Sequence, residues 1–197
     1  GGAGTFSDGK LTTRVGDPLC AFVTGAFLDH GAPADIAWRQ KPHVGTDLLR
    51  GVSTYWWEFL RAVPQLDVVY VPIGQGSGAC SAIAAKLALG HGVRVVGVVS
   101  SHATTYADSV AAGRVVEAPV TTQLADGMAC RVADAEALTI IAPHIDHIVQ
   151  VSDNEVAAAM RALFTDTHNV AEGAGAAVVV GPGEGLRGAG GRPCRCR

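Results

Sequence analysis

A continuous apolar run, Asp67 to Ile73 (DVVYVPI), passes directly into Gly74-Gln75-Gly76-Ser77-Gly78, and a small-residue segment closed by Gly90 follows at once. A strand with so few polar positions has no face to show to water, so it belongs inside a parallel sheet with helices on both sides. The juncture itself constrains the chemistry. Glycines at 74, 76 and 78 let the backbone approach a ligand closely, and a helix that opens there offers unpaired N–H groups and a partial positive charge. Ser77 adds a hydroxyl. This is the composition of a phosphate cradle; the plainer alternative is a tight strand-to-helix turn with no ligand.

The same alternation continues along the chain. A helix is expected over 46–63, stopped by Pro64, and another over 77–90. Val93 to Val99 reads as a second buried strand and Ala103 to Ala112 as a helix ended by Gly113. Val115-Val116 suggests a further strand, and Asp146 to Val151 another. Ser152, with Glu155 three residues on, has the spacing of a capping box and opens a helix over 153–164. A last small-residue helix spans 171–180. The fold class is therefore α/β, an open doubly wound, mainly parallel sheet with helices on both faces. Residues 1–42 yield no definite element, 43–181 form the α/β domain, and 182–197 turn to Gly, Arg and Pro and are expected to be a disordered tail.

Composition narrows the function classes. Hydrophobic residues make up 48% and charged residues 17% of the 197, which excludes a disordered chain. A net charge of −3 with a pI near 6.1 lacks the basic stripe of a nucleic-acid binder. No apolar run reaches the roughly 18 residues that cross a bilayer, and the first residues do not read as a signal peptide. Five cysteines, widely spaced and odd in number, do not form a disulfide framework, so a cytoplasmic protein is expected.

The identity of the phosphate can be narrowed further. Gly74-x-Gly76-x-x-Ala79 satisfies a loose dinucleotide fingerprint, but the next strand ends Val98-Val99-Ser100-Ser101-His102, without the acidic residue that would hold a ribose. The lysine of a nucleotide-binding P-loop is also missing. A cofactor with a single phosphate fits better.

These segments, taken in order, resemble the large domain of pyridoxal-phosphate-dependent threonine/serine dehydratases, the tryptophan-synthase-β-like group. Leu49 to Thr54, the Val71–Ala79 glycine loop, the Val95–Val98 strand, Leu124 to Ala129 with its Ala-Asp-Gly, Asp146 to Glu155, and Ala171 to Ala177 each resemble a family segment. The resemblance implies pyridoxal phosphate as cofactor, held by Gly74, Gln75, Gly76, Ser77 and Gly78, with Glu172 near its ring. It also implies a hydroxy amino acid as substrate, α,β-elimination to a 2-oxo acid and ammonia, and possible homo-oligomers. The chain departs from the family in its lysine. Members bind the cofactor through a lysine in a Ser-Phe-Lys-like motif, and none of Lys10, Lys41 and Lys86 stands in one; Phe6 to Lys10 is a faint echo. The late Ser-Gly-Gly-Asn-like segment is absent, and Val99-Ser100-Ser101 stands where some members carry a cation-binding glutamate. The expectation is a partial chain, incomplete relative to the family, whose two ends do not encode family residues. A non-catalytic phosphate-ligand module and a dinucleotide-binding oxidoreductase domain are the alternatives.

Other groups carry weaker signals. His144-Ile145-Asp146-His147 contains ligand types that zinc accepts, but on a strand His144 and His147 point apart, and no metal is expected. Cys194-x-Cys196 lacks a second pair. Cys80 and Cys130 read as small core residues. Tyr55, Trp56 and Trp57 are consecutive and cannot share one helix face, which places at least one of them toward another domain or a partner. Arg187, Arg192, Arg195 and Arg197 give the tail a local positive charge.

Overall fold

The computed structural model describes residues 46–188 together with the isolated positions Gly25 and Asp29. Lys10, Lys41, Cys20, Cys194, Cys196, the rest of the segment 1–42 and the end of the tail lie outside the described residues. The elements run α1 (Thr46–Ala62), β1 (Val68–Pro72), α2 (Ser77–Leu89), β2 (Arg94–Ser100), α3 (Thr105–Ala112), a 3-10 turn (Asp126–Met128), α4 (Ala135–His144), β3 (Ile148–Val151), α5 (Asp153–Thr167) and α6 (Gly173–Gly188).

The three strands form one parallel sheet in the order β1-β2-β3. Val68 to Pro72 pair with Arg94 to Val98, and Gly97 to Ser100 pair with Ile148 to Val151. Because strand side chains alternate, the sheet feeds two cores. Val69, Val71, Val95 and Val99 pack on one side with Trp56 and Leu60 of α1, the small residues of α2, and Ala137 and Ile141 of α4. Val96, Val98, Val149 and Val151 pack on the other with Met128, Val156 of α5, and Ala174 and Ala177 of α6. Helices thus cover both faces, as the continuous apolar strands require.

Local signals explain most element boundaries. The small side chains of α2 (Ala79, Cys80, Ser81, Ala82, Ala85) are buried along with Ile83, which lets this helix lie close to the sheet with α1 over it. It ends on Gly90, whose left-handed φ of 62° costs a glycine little. Ser152 and Glu155 form the expected capping box, with both reciprocal bonds present.

Three expectations need correction. Val115-Val116 is not a strand. The Ser109 hydroxyl takes the Val116 amide (3.0 Å), and the following residues make only an isolated antiparallel bridge, Glu117 to Val132. Two β-branched residues between Arg114 and Glu117 are too short a run to pair further. Second, α4 has no counterpart in the sequence reading. Asp134 caps it by accepting the Ala137 amide (2.9 Å), and Pro143 sits in its last turn. His144 therefore ends a helix rather than entering a strand. Third, α6 continues to Gly188, into the segment assigned to the tail. Among the described residues no helix is long and apolar enough to cross a membrane.

Candidate active site

In open parallel sheets, ligands bind outside the carboxyl ends of the strands. Here β1 delivers Ile73-Gly74-Gln75-Gly76 to that edge, β2 delivers Ser100-Ser101-His102, and β3 delivers Ser152. Gly76 takes a φ of 100° at the N-cap of α2, no side chain among the described residues caps that helix, and its first turn holds no acidic residue. The first backbone bond of the helix runs from the Cys80 amide to the Gly76 carbonyl (2.9 Å). The amides of Ser77, Gly78 and Ala79 are consequently left at the helix end without intrahelical partners. Such a terminus attracts an anion.

Other segments close in around the loop. A Cβ on Gly74 would collide with the carbonyl oxygen of Gly127, in the 3-10 turn. A Cβ on Gly127 would stand 2.8 Å from the Ala174 Cβ and 3.3 Å from Glu172 Oε1. The glycine loop, the Ala-Asp-Gly turn and the start of α6 are therefore stacked in contact, and Glu172 reaches the loop's neighbourhood through Gly127. Asp153, at the start of α5, fixes the approach to this stack. It accepts the Thr122 hydroxyl and the Gln123 amide, both at 2.6 Å. Burial pushes its pKa up, but hydrogen bonds from the Gln123 amide and Thr122 hydroxyl, with the His102 charge and the Leu124 amide, outweigh that and hold the carboxyl below its usual range.

Gln75 is placed differently from its neighbours. Its backbone carbonyl accepts the Tyr106 hydroxyl, and its Oε1 lies 2.6 Å from Cys130 Sγ. Its side chain faces into the protein, and what the loop offers a ligand is its amides and Ser77. Tyr106, Cys130 and Gly127 are parts of this site that the sequence reading did not assign. Gly127 was within reach, because it stands in the Ala-Asp-Gly segment; nothing local marks Tyr106 or Cys130.

Lys86 is in the last turn of α2, about 13 Å along the helix from Ser77 at 1.5 Å per residue. It does not reach the loop at the other end. The described residues thus fit the phosphate of a cofactor and hold no lysine beside it. His147 Nδ1 is 2.7 Å from Asp146 Oδ2, and among the described residues no three potential metal ligands cluster.

Cys80 shows how closed the packing under the loop is. Burial, with the nearby Asp134 charge second, pushes its thiol pKa up to about 12. At pH 8 the thiolate is then scarce and inaccessible. Iodoacetamide should leave Cys80 unmodified in the native chain and label it in denaturant, as read by peptide mass spectrometry; rapid native labelling would contradict the packing.

Comparison with known proteins agrees with this geometry. Residues 41–191 match the family described as pyridoxal-phosphate dependent enzymes. The chain belongs to this pyridoxal-phosphate-dependent family. It is 35% identical over 130 residues to an L-threonine ammonia-lyase of Geobacter sulfurreducens, a match that covers 66% of this chain and 32% of the relative. It is 30% identical over 142 residues to a serine racemase of Oryza sativa, covering 72% of this chain and 38% of that protein. A solved threonine deaminase from T.th. superposes with a TM-score of 0.66 at 27% identity, over 71% of this chain and 52% of that one. This family member therefore spans about a third of the length of these curated relatives.

Proposed function

We propose that the chain forms the phosphate-binding part of a pyridoxal-phosphate lyase that eliminates water from serine or threonine, releasing an enamine that tautomerises and takes a water back to give a 2-oxo acid and ammonia. The observation that carries this reading is the glycine loop opening into an uncapped helix at the carboxyl edge of a parallel sheet. The ammonia-lyase and racemase names of the relatives support the substrate class. Bound pyridoxal phosphate supplies an electron sink for the substrate's α carbon. The residues of this chain act on the cofactor's position. The Ser77, Gly78 and Ala79 amides and the Ser77 hydroxyl would take the phosphate oxygens, the helix end would offset their charge, and Glu172, beside Gly127, would neighbour the ring.

A second reading, a phosphate-ligand module without catalysis, is favoured by one observation: Lys86 is remote from the loop. Titrating the full chain with pyridoxal phosphate, with inorganic phosphate as competitor, tests both. Borohydride reduction and peptide mapping should follow. The lyase reading expects saturable binding that phosphate displaces, one dominant lysine adduct, and weaker binding in Ser77→Ala by roughly tenfold to a hundredfold, the range for one hydrogen bond to a charged group. Displaceable binding without an adduct selects the module. Binding that phosphate does not displace, with adducts scattered over lysines, sinks both.

A further inference from the structure

We infer that Tyr106 and Cys130 are positioning residues that act through Gln75 to hold the phosphate-binding loop in its ligand-ready conformation. The inference rests on the reading of Gly74–Gly78 as a phosphate site and assigns the parts that set its geometry.

Both oxygens of Gln75 are engaged from beneath the loop. The Tyr106 hydroxyl donates to the Gln75 carbonyl and accepts the Asp134 amide (3.2 Å). One buried hydroxyl therefore ties the loop to the residue that caps α4. Tyr106 is 1% exposed, and burial raises its phenol pKa, so at neutral pH the group is an O–H donor. Cys130 Sγ lies 2.6 Å from Gln75 Oε1 and 3.1 Å from the Val132 carbonyl. Gly76 follows directly, and its geometry shows why the contacts matter. A Cβ there would come within 2.8 Å of the Tyr106 hydroxyl and 3.0 Å of Ala137 Cβ and Ile141 Cδ1. The peptide between Gln75 and Gly76 is thus pulled down onto α3 and α4. With its carbonyl fixed inward, and Gly76 at φ 100°, the amides that follow are aimed outward from the helix end. A loop free of these two contacts would sample orientations in which the amides no longer converge, and a phosphate would have to restore the order on binding.

The test compares the full chain with Tyr106→Phe, Cys130→Val and Cys130→Ser. Phenylalanine keeps the ring and removes the hydroxyl; valine keeps the bulk and removes the donor; serine keeps a donor. Two measurements are made on each. The first is hydrogen exchange of the Cys80 amide, bonded to the Gly76 carbonyl, against the Arg94 amide, bonded to the Asp67 carbonyl (2.9 Å) at the far edge of the sheet. The second is pyridoxal-phosphate affinity. Expected are exchange at Cys80 faster by roughly fivefold to tenfold, the factor for one lost buried hydrogen bond, in Tyr106→Phe and Cys130→Val. Arg94 should be unchanged, affinity should fall in parallel, and Cys130→Ser should stay near wild type on both. Equal acceleration at Cys80 and Arg94 would show general destabilisation and overturn the inference, as would exchange at Cys80 that does not change. If the wild-type chain binds no pyridoxal phosphate, the functional reading fails by itself, and the exchange arm still decides whether the clamp orders the loop.

Discussion

Gly74→Ala should lower stability by about 3 kcal/mol, toward the upper end of the cost of forcing an added carbon into a filled site. For a chain of this size that moves the thermal midpoint down by roughly 6–12 °C. The cause is contact rather than backbone conformation. Gly74 has no positive φ, so alanine suits its dihedrals, but its Cβ is driven onto the Gly127 carbonyl, and Gly127 has Ala174 behind it. A carbonyl in a tight turn is not the far end of a flexible side chain and cannot swing away. Relief has to come from moving the glycine loop off the Ala-Asp-Gly turn, which takes phosphate affinity with it. Gly78→Ala, four residues along the same loop, is the internal control. Its Cβ meets Val71 Cγ1 at 3.7 Å, an ordinary contact, and α2 gains up to about 1 kcal/mol of helix propensity. Circular-dichroism melts of the two variants should move in opposite directions. Equal melting temperatures would mean that the stack of loop, turn and α6 is not as close as described.

Much of this arrangement is legible in the sequence, and the part that is not has a common physical origin. The first strand, the glycine turn, α2 with its Gly90 terminus, β2 and the Ser152–Glu155 capping box are encoded by residues within a few positions of one another. Apolar continuity, turn chemistry and capping are local properties, and they read out directly. Helix α4 is hard to read locally because Pro143 stands inside it. Its signal is Asp134 as a cap, which competes poorly with a proline inside the helix. The partners of Gln75 escaped for a different reason. Tyr106 is 31 positions away and Cys130 is 55, and neither carries a motif. A glutamine within the glycine loop is indistinguishable in sequence from a residue facing the ligand, and only tertiary packing decides that its polar atoms turn inward. Glu172 shows the intermediate case. Its place just before a small-residue helix is local information, whereas its approach to Gly127 depends on how α6 lies across the turn.

That approach gives the other large effect, Gly173→Ala. A Cβ at Gly173 would collide with the Leu124 carbonyl oxygen, stand 2.7 Å from its carbonyl carbon and 3.1 Å from the Ala125 Cα. All three obstacles are backbone, and Leu124 is next to the segment that Asp153 anchors through Thr122 and Gln123. Neither side can yield without loss. If the 122–125 segment moves, two hydrogen bonds to a carboxylate held in its charged form are broken; if α6 moves, Ala174 and Ala177 leave the second core. The cost should be about 3 kcal/mol or more, at least that of Gly74→Ala. The two substitutions should also be less than additive, because both part the same stack: once α6 has shifted away from Gly127, that turn is free to retreat from an alanine at 74. A double-mutant cycle by chemical denaturation measures this directly. A coupling near zero would mean that Gly74 and Gly173 sit in independent contacts, and that Glu172 is not mechanically joined to the phosphate loop. A coupling of about 1 kcal/mol or more would tie the two together through Gly127, which lies against both the loop and the helix.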